Sequence, residues 1–226
     1  ADLEIFDKNG KSAVVIAAEK GHLEIVQELV ARGVELDMKD DNGMTPTARA
    51  ACSGDLQLLQ CLLSQRASLT VEDSYGMTPL ALAARAGHLE VLQDLAARRK
   101  INLNAKDSFG KSPLALAAYA GHSDIMKELA ACRADLDVKD KSGMTPLARA
   151  AWAGNLEVVK DLAALGAGLN VKDQSGKTPI ALADEQGHAA VVKDLRDRGA
   201  ELTAALAADD SHLKITWQTT KAPHEK

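Results

Sequence analysis

Short apolar runs, rich in alanine and leucine, alternate along the chain with polar segments that carry glycine, and the alternation keeps a fixed period. One unit is Asp140 to Gly154, DKSGMTPLARAAWAG. Asp140-Lys141-Ser142-Gly143 reads as a tight turn, because glycine tolerates positive φ and aspartate bonds its own backbone two residues on. Thr145 is placed to cap a helix, and Pro146 sits at its first position, where a missing N–H costs nothing. Gly154 ends that helix. The unit occurs six times. Its turn glycines are Gly10, Gly43, Gly76, Gly110, Gly143 and Gly176, at intervals of 33, 33, 34, 33 and 33. The helix-ending glycines Gly21, Gly54, Gly87, Gly121, Gly154 and Gly187 keep the same intervals. A period of this size denotes stacked supersecondary units rather than one globular core.

The marks Asp73-x-x-Gly76-x-Thr78-Pro79-Leu80, then Gly87-His88, then the paired Gly199-Ala200 that ends a second helix, carry a family resemblance. The chain resembles an ankyrin-repeat protein over residues 1–205. The resemblance implies an all-α solenoid in which each repeat is a helix-turn-helix with a β-hairpin finger. It also implies a function in binding other macromolecules, without chemistry. The repeats fall near 7–39, 40–72, 73–106, 107–139, 140–172 and 173–205, and 206–226 reads as a degenerate tail.

Departures from the repeat carry expectations of their own. Ala1 to Asp7 aligns with Ala134 to Asp140, so the chain is expected to start inside a repeat, as a piece of a longer array; a worn first repeat at a natural terminus is the alternative. Ser12-Ala13-Val14 replaces Thr-Pro-Leu, and the β-branched Val14-Val15-Ile16 makes the first helix the weakest expected. Thr47 stands where Leu80, Leu114 and Leu147 stand elsewhere. The single insertion falls within Arg98 to Ile101, in a loop. Arg66 and Arg133 occupy places held by Gly33, Gly166 and Gly199, where a left-handed backbone would cost each arginine about 1 kcal/mol. Ala81, Ala115, Ala148 and Ala181 replace the family's inter-repeat histidine, which leaves that network in question.

Composition narrows the classes. The net charge of −5 disfavours a nucleic-acid partner for the surface as a whole. Cys52, Cys61 and Cys132 show no C-x-x-C spacing and suggest reduced thiols in a cytosolic or nuclear setting. There is no apolar run of 18 to span a membrane. With aromatics at 3%, alanine layers must supply the packing. His22, His88, His122 and His188 recur once per repeat at the start of the second helix, which reads as structural, since a stack spaces them along a line instead of bringing them to one metal. Asp40-Asp41-Asn42-Gly43 resembles a calcium loop, but Met38 stands at the first ligand position and no glutamate closes it. Cys52 has no nearby histidine to activate it. No catalytic set, cofactor motif or metal cluster emerges, and the chain is not expected to be an enzyme.

A binding face does emerge. In each first helix the residues five, two and one before the closing glycine share a face, and by resemblance this face and the finger tips line the concave groove. Those positions, 36 in all, include four of the chain's six aromatics, where chance would give about one. They hold nine cations (Lys8, Lys11, Lys20, Arg49, Arg85, Lys111, Lys141, Arg149, Lys177) against three anions (Glu19, Asp41, Glu185). The candidate partner-binding residues are Tyr75, Met77, Arg85, Phe109, Lys111, Tyr119, Met144, Arg149 and Trp152. Arg149 and Trp152 are i, i+3, which would let the guanidinium lie beside the indole, and Arg149→Glu would then mainly slow association. The expected function is non-enzymatic binding of a protein or peptide that is apolar with acidic edges, by a monomer. An engineered binder on the same scaffold, or a regulatory arm of a larger enzyme or channel, are the alternatives.

Overall fold

The computed structural model describes residues 5–98 and 101–200. The opening residues before Ile5, the inserted Arg99 and Lys100, and the tail 206–226 lie outside the described residues. Six helix pairs follow one another: α1 (Ala13–Glu19) and α2 (Leu23–Ala31), α3 (Pro46–Ser53) and α4 (Leu56–Ser64), α5 (Pro79–Ala86) and α6 (Leu89–Ala96), α7 (Pro113–Ala120) and α8 (Ser123–Ala131), α9 (Pro146–Ala153) and α10 (Leu156–Ala164), α11 (Pro179–Glu185) and α12 (Ala189–Asp197). The first helices of the pairs stack in one row and the second helices in another, each touching its counterpart in the next repeat.

The helices start where the sequence says they should. Thr45, Thr78, Ser112 and Thr145 each accept, through Oγ, the N–H three residues on, at 3.1, 3.3, 3.3 and 3.2 Å. Proline opens α3, α5, α7, α9 and α11. The Ala pairs 50–51, 83–84, 117–118 and 150–151 are fully buried, so the inner helices approach closely. Leu59, Leu62, Leu92, Leu95, Met126 and Leu129 from the outer helices fill the space beneath them. This core is continuous along the stack, as expected when no repeat can bury its apolar face alone.

Inter-repeat hydrogen bonds are present, carried by residues other than the family's usual histidine, whose alanine replacements are simply buried. His88 Nε2 donates to Cys52 O (3.0 Å), His122 to Arg85 O (3.2 Å) and His188 to Trp152 O (3.1 Å). Asn155 Nδ2 does the same work on Ala118 O and Tyr119 O, at 2.9 and 2.8 Å. The second helices α6, α8, α10 and α12 thus satisfy carbonyls left open at the end of the inner helix of the preceding repeat. Gly87 turns away at φ +84°, and a Cβ there would lie 2.8 Å from the His122 ring.

Repeat one misses this support. Asp55 takes the histidine position in repeat two, but a carboxylate only accepts, and it spends Oδ1 on Leu58 N–H at 2.9 Å. The N-cap Ser12 is buried with its hydroxyl unpartnered, and α1 has no proline. Native-state hydrogen exchange is therefore expected to be fastest, among the described residues, across Asp7 to Val30. Protection there equal to that of α7 and α8 would contradict this reading.

Arg66 and Arg133 do adopt the left-handed conformation, each at φ +67°. The glycines at the equivalent places 33, 166 and 199 have open space around them, so the strain is not repaid by close packing. Arg66→Gly and Arg133→Gly should each stabilise the chain by about 1 kcal/mol, read as a higher urea midpoint with an unchanged slope. Thr47, at a leucine position, is fully buried with an unpartnered hydroxyl. It is a local weakness, since a buried hydroxyl without a partner is destabilising.

Candidate functional site

Each finger is organised by its aspartate. In repeat four, Asp107 Oδ1 accepts the N–H groups of Phe109 and Lys111 at 2.9 and 2.8 Å, and Asp107 N–H donates to Lys111 O at 3.0 Å. The same pair of bonds to Oδ1 recurs at Asp7, Asp40, Asp73, Asp140 and Asp173. Adjacent fingers are joined by single backbone bonds, such as Ser108 N–H to Tyr75 O (2.7 Å) and Lys141 N–H to Phe109 O (2.9 Å). Gly110, at φ +78°, permits this approach: a Cβ would sit 2.7 Å from Lys141 N. Among the described residues the fingers are hydrogen-bonded turns, with one isolated bridge, Phe6 to Ser12, instead of extended strands.

The finger tips and inner helices bring aromatics together. Tyr75, Phe109 and Tyr119 are about half exposed. Tyr119 and Trp152, on successive inner helices, stack with centroids 6.0 Å apart and planes 24° apart. Lys111 Nζ lies 5.5 Å from the Phe109 ring centre and 5.6 Å from that of Tyr119, within cation–π range of both. Between repeats three and four these side chains border a pocket of about 320 Å³. Tyr75, Phe109 and Tyr119 give it aromatic sides, and the buried Met77 and Leu116 contribute apolar surface at depth. Arg85, Lys111 and Asp107 supply the charge.

Three expectations for these residues change. Met77 is not an exposed contact: it is 3% exposed and belongs, with Met44, Ala48, Ala81, Leu82 and Leu116, to a second apolar cluster outside the main core. Met144, its counterpart in repeat five, is half-buried. Leu82 and Leu116, five residues before the closing glycines, are likewise buried where the helix face was expected to be open.

Arg149 is the third. Its guanidinium turns to Asp140, with Nε 2.6 Å from Oδ2 and a second nitrogen paired to the same oxygen. It does not brace Trp152, whose partner is Tyr119. The carboxylate of Asp140 is inaccessible, and a buried anion holds a nearby guanidinium far more firmly than a ring face does. Arg149→Glu would set two carboxylates against each other and is expected to damage the finger, whatever its effect on association. Arg49 makes the same pairing with Asp40 and reaches Glu19 at 3.4 Å. Burial would raise the Asp40 pKa, but Arg49 and the N–H groups of Met44 and Asn42 outweigh it, leaving it below the ordinary carboxylate value. The stability that this lowering contributes is complete at neutral pH. It is lost as the pH falls below the ordinary value and through the lowered one.

These pairings redistribute the groove's charge. Lys11 is tied to Glu19 at 2.6 Å and Lys177 to Glu185 at 2.8 Å. With Arg49 and Arg149 also paired, Arg85, Lys111 and Lys141 have no ion-pair partner among the described residues; Arg85 and Lys111 line the aromatic pocket, and the Lys141 main chain bonds Phe109 O. The remaining two unpaired cations, Lys8 and Lys20, are in repeat one. Asp107 was missed in the sequence. The signal was available: the residue nine after each finger aspartate is Arg49 or Arg149 in repeats two and five, but Leu82 and Leu116 in repeats three and four.

Burial raises the thiol pKa values of Cys61 and Cys132, with Glu128 adding to the second, which leaves both poor nucleophiles. All three cysteines are free. No described helix is long and apolar enough to cross a membrane. The family model for ankyrin repeats matches the chain in three overlapping copies, at residues 14–107, 95–173 and 114–205. No curated protein matches it.

Proposed function

Because the chain belongs to the ankyrin-repeat family, whose members are in general protein-interaction modules without catalytic activity, we propose that it binds a partner protein or peptide through the groove of repeats three to five. The observation that carries this reading is one surface where the exposed rings Tyr75, Phe109 and Tyr119 meet the unpaired cations Arg85 and Lys111. Aromatic side chains bury much area at low rotamer cost, and unpaired cations around them select an apolar surface with acidic edges. The stack holds these groups in place beforehand, so little ordering entropy is lost on binding. The chain acts as a monomer, and its free, separate thiols suit a reducing intracellular setting. The test is partner capture by the wild-type chain compared with a Tyr119→Ala/Trp152→Ala variant, with Glu90→Ala on the outer helix as control. Capture that survives the double variant would move the binding surface elsewhere.

A further inference from the structure

We propose that the pocket between repeats three and four is an anchor site for a tyrosine side chain of the partner, flanked in the partner's sequence by acidic residues. The inference rests on the groove reading and specifies what that groove takes. Its starting point is Asp107, which lines the pocket and is only 8% exposed. Both hydrogen bonds that Asp107 receives from its own finger go to Oδ1. In repeats two and five the corresponding second oxygen is taken by an arginine nine residues on. In repeat four that residue is Leu116, and no cation of the described residues pairs with Asp107. The pocket therefore presents a nearly buried acceptor among apolar and aromatic walls.

A purely apolar guest would cover that oxygen without a partner, which is unfavourable. The anchor must carry a donor. A guanidinium or ammonium would satisfy Asp107 but would bring a further cation into a pocket already lined by Arg85 and Lys111. A neutral donor avoids that repulsion. It must also lie at the far end of the side chain, since the acceptor belongs to a nearly buried residue, and it must have a ring to stack against Tyr75, Phe109 and Tyr119. Tyrosine meets these conditions through its terminal O–H, whereas the indole N–H of tryptophan projects sideways. Carboxylates beside the tyrosine would meet Arg85 and Lys111, which have no ion-pair partner of their own among the described residues. A carboxylate drawing on Lys111 would also free the Phe109 and Tyr119 faces it now covers.

The experiment is a fluorescence-polarisation titration of the full chain with a labelled peptide holding one tyrosine between pairs of glutamates. Phenylalanine or arginine in place of the tyrosine, and lysines in place of the glutamates, should each weaken binding at least tenfold. Asp107→Asn keeps an oxygen for the Phe109 and Lys111 N–H groups but replaces the outward oxygen with an NH₂ donor. Because the phenol oxygen can accept from that NH₂ in a weaker, neutral bond, the variant should lower the preference for tyrosine over phenylalanine about threefold or more while leaving thermal unfolding unchanged. Equal binding of the tyrosine and phenylalanine peptides, tighter binding of the arginine peptide, equal binding with lysine flanks, or no binding up to millimolar peptide would each overturn the proposal. So would an undiminished preference in a folded Asp107→Asn chain; if that variant unfolds, the wild-type comparisons decide. Partner capture that depends on Tyr119 and Trp152 without tyrosine discrimination would overturn this inference and leave the groove reading standing.

Discussion

Asp140→Ala is expected to destabilise the chain by about 3 kcal/mol or more, and Arg149→Leu by less, about 2 kcal/mol. The two residues form one ion pair, yet they are not equivalent. Asp140 accepts Ser142 N–H at 2.8 Å and Met144 N–H at 3.0 Å through one oxygen and holds Arg149 through the other. Alanine removes the acceptor that closes the finger and strands a guanidinium whose side chain is 15% exposed. Removing one partner of such a pair leaves the other's desolvation uncompensated. Arg149→Leu also strands a carboxylate, but it leaves the finger turn closed and recreates what repeats three and four already contain, a leucine (Leu82, Leu116) nine residues after the finger aspartate. Both variants can be read from urea unfolding curves. Equal losses would mean that the ion pair, and not the finger turn, carries the energy.

Trp152→Ala is expected to weaken partner binding by about 2 kcal/mol or more while costing under about 1 kcal/mol of stability. The ring is half-buried, lies outside both apolar clusters, and its one ring contact among the described residues is the stack on Tyr119. The inter-repeat bond at this residue runs from His188 to the Trp152 carbonyl, which alanine retains. Tyr119→Ala behaves alike, because Asn155 holds the Tyr119 carbonyl through the main chain. Titration calorimetry with the captured partner gives the first number and thermal unfolding the second. If Trp152→Ala unfolds the chain, the ring is core and the groove loses its anchor.

The sequence by itself determined the repeat period, the helix starts at Thr-Pro and the stops at glycine, because these depend on backbone torsions and on hydrogen bonds a few residues long. The strained arginines at 66 and 133 were legible for the same reason: glycine in the sister repeats marks the left-handed site. That the rings of Tyr75, Phe109, Tyr119 and Trp152 gather on one face was also legible, from counting equivalent positions across copies. What each side chain on that face touches was not. Helical spacing places residues 149 and 152 on one face, but the finger folds back over the inner helix, and the next repeat lies alongside. Arg149 therefore meets Asp140, nine residues earlier, and Trp152 meets Tyr119, 33 residues earlier. The same folding-back buries Met77 and Leu116 and leaves Asp107 facing a pocket. Competition among neighbours from three segments, settled by desolvation and charge pairing, was decided only when the stack was assembled.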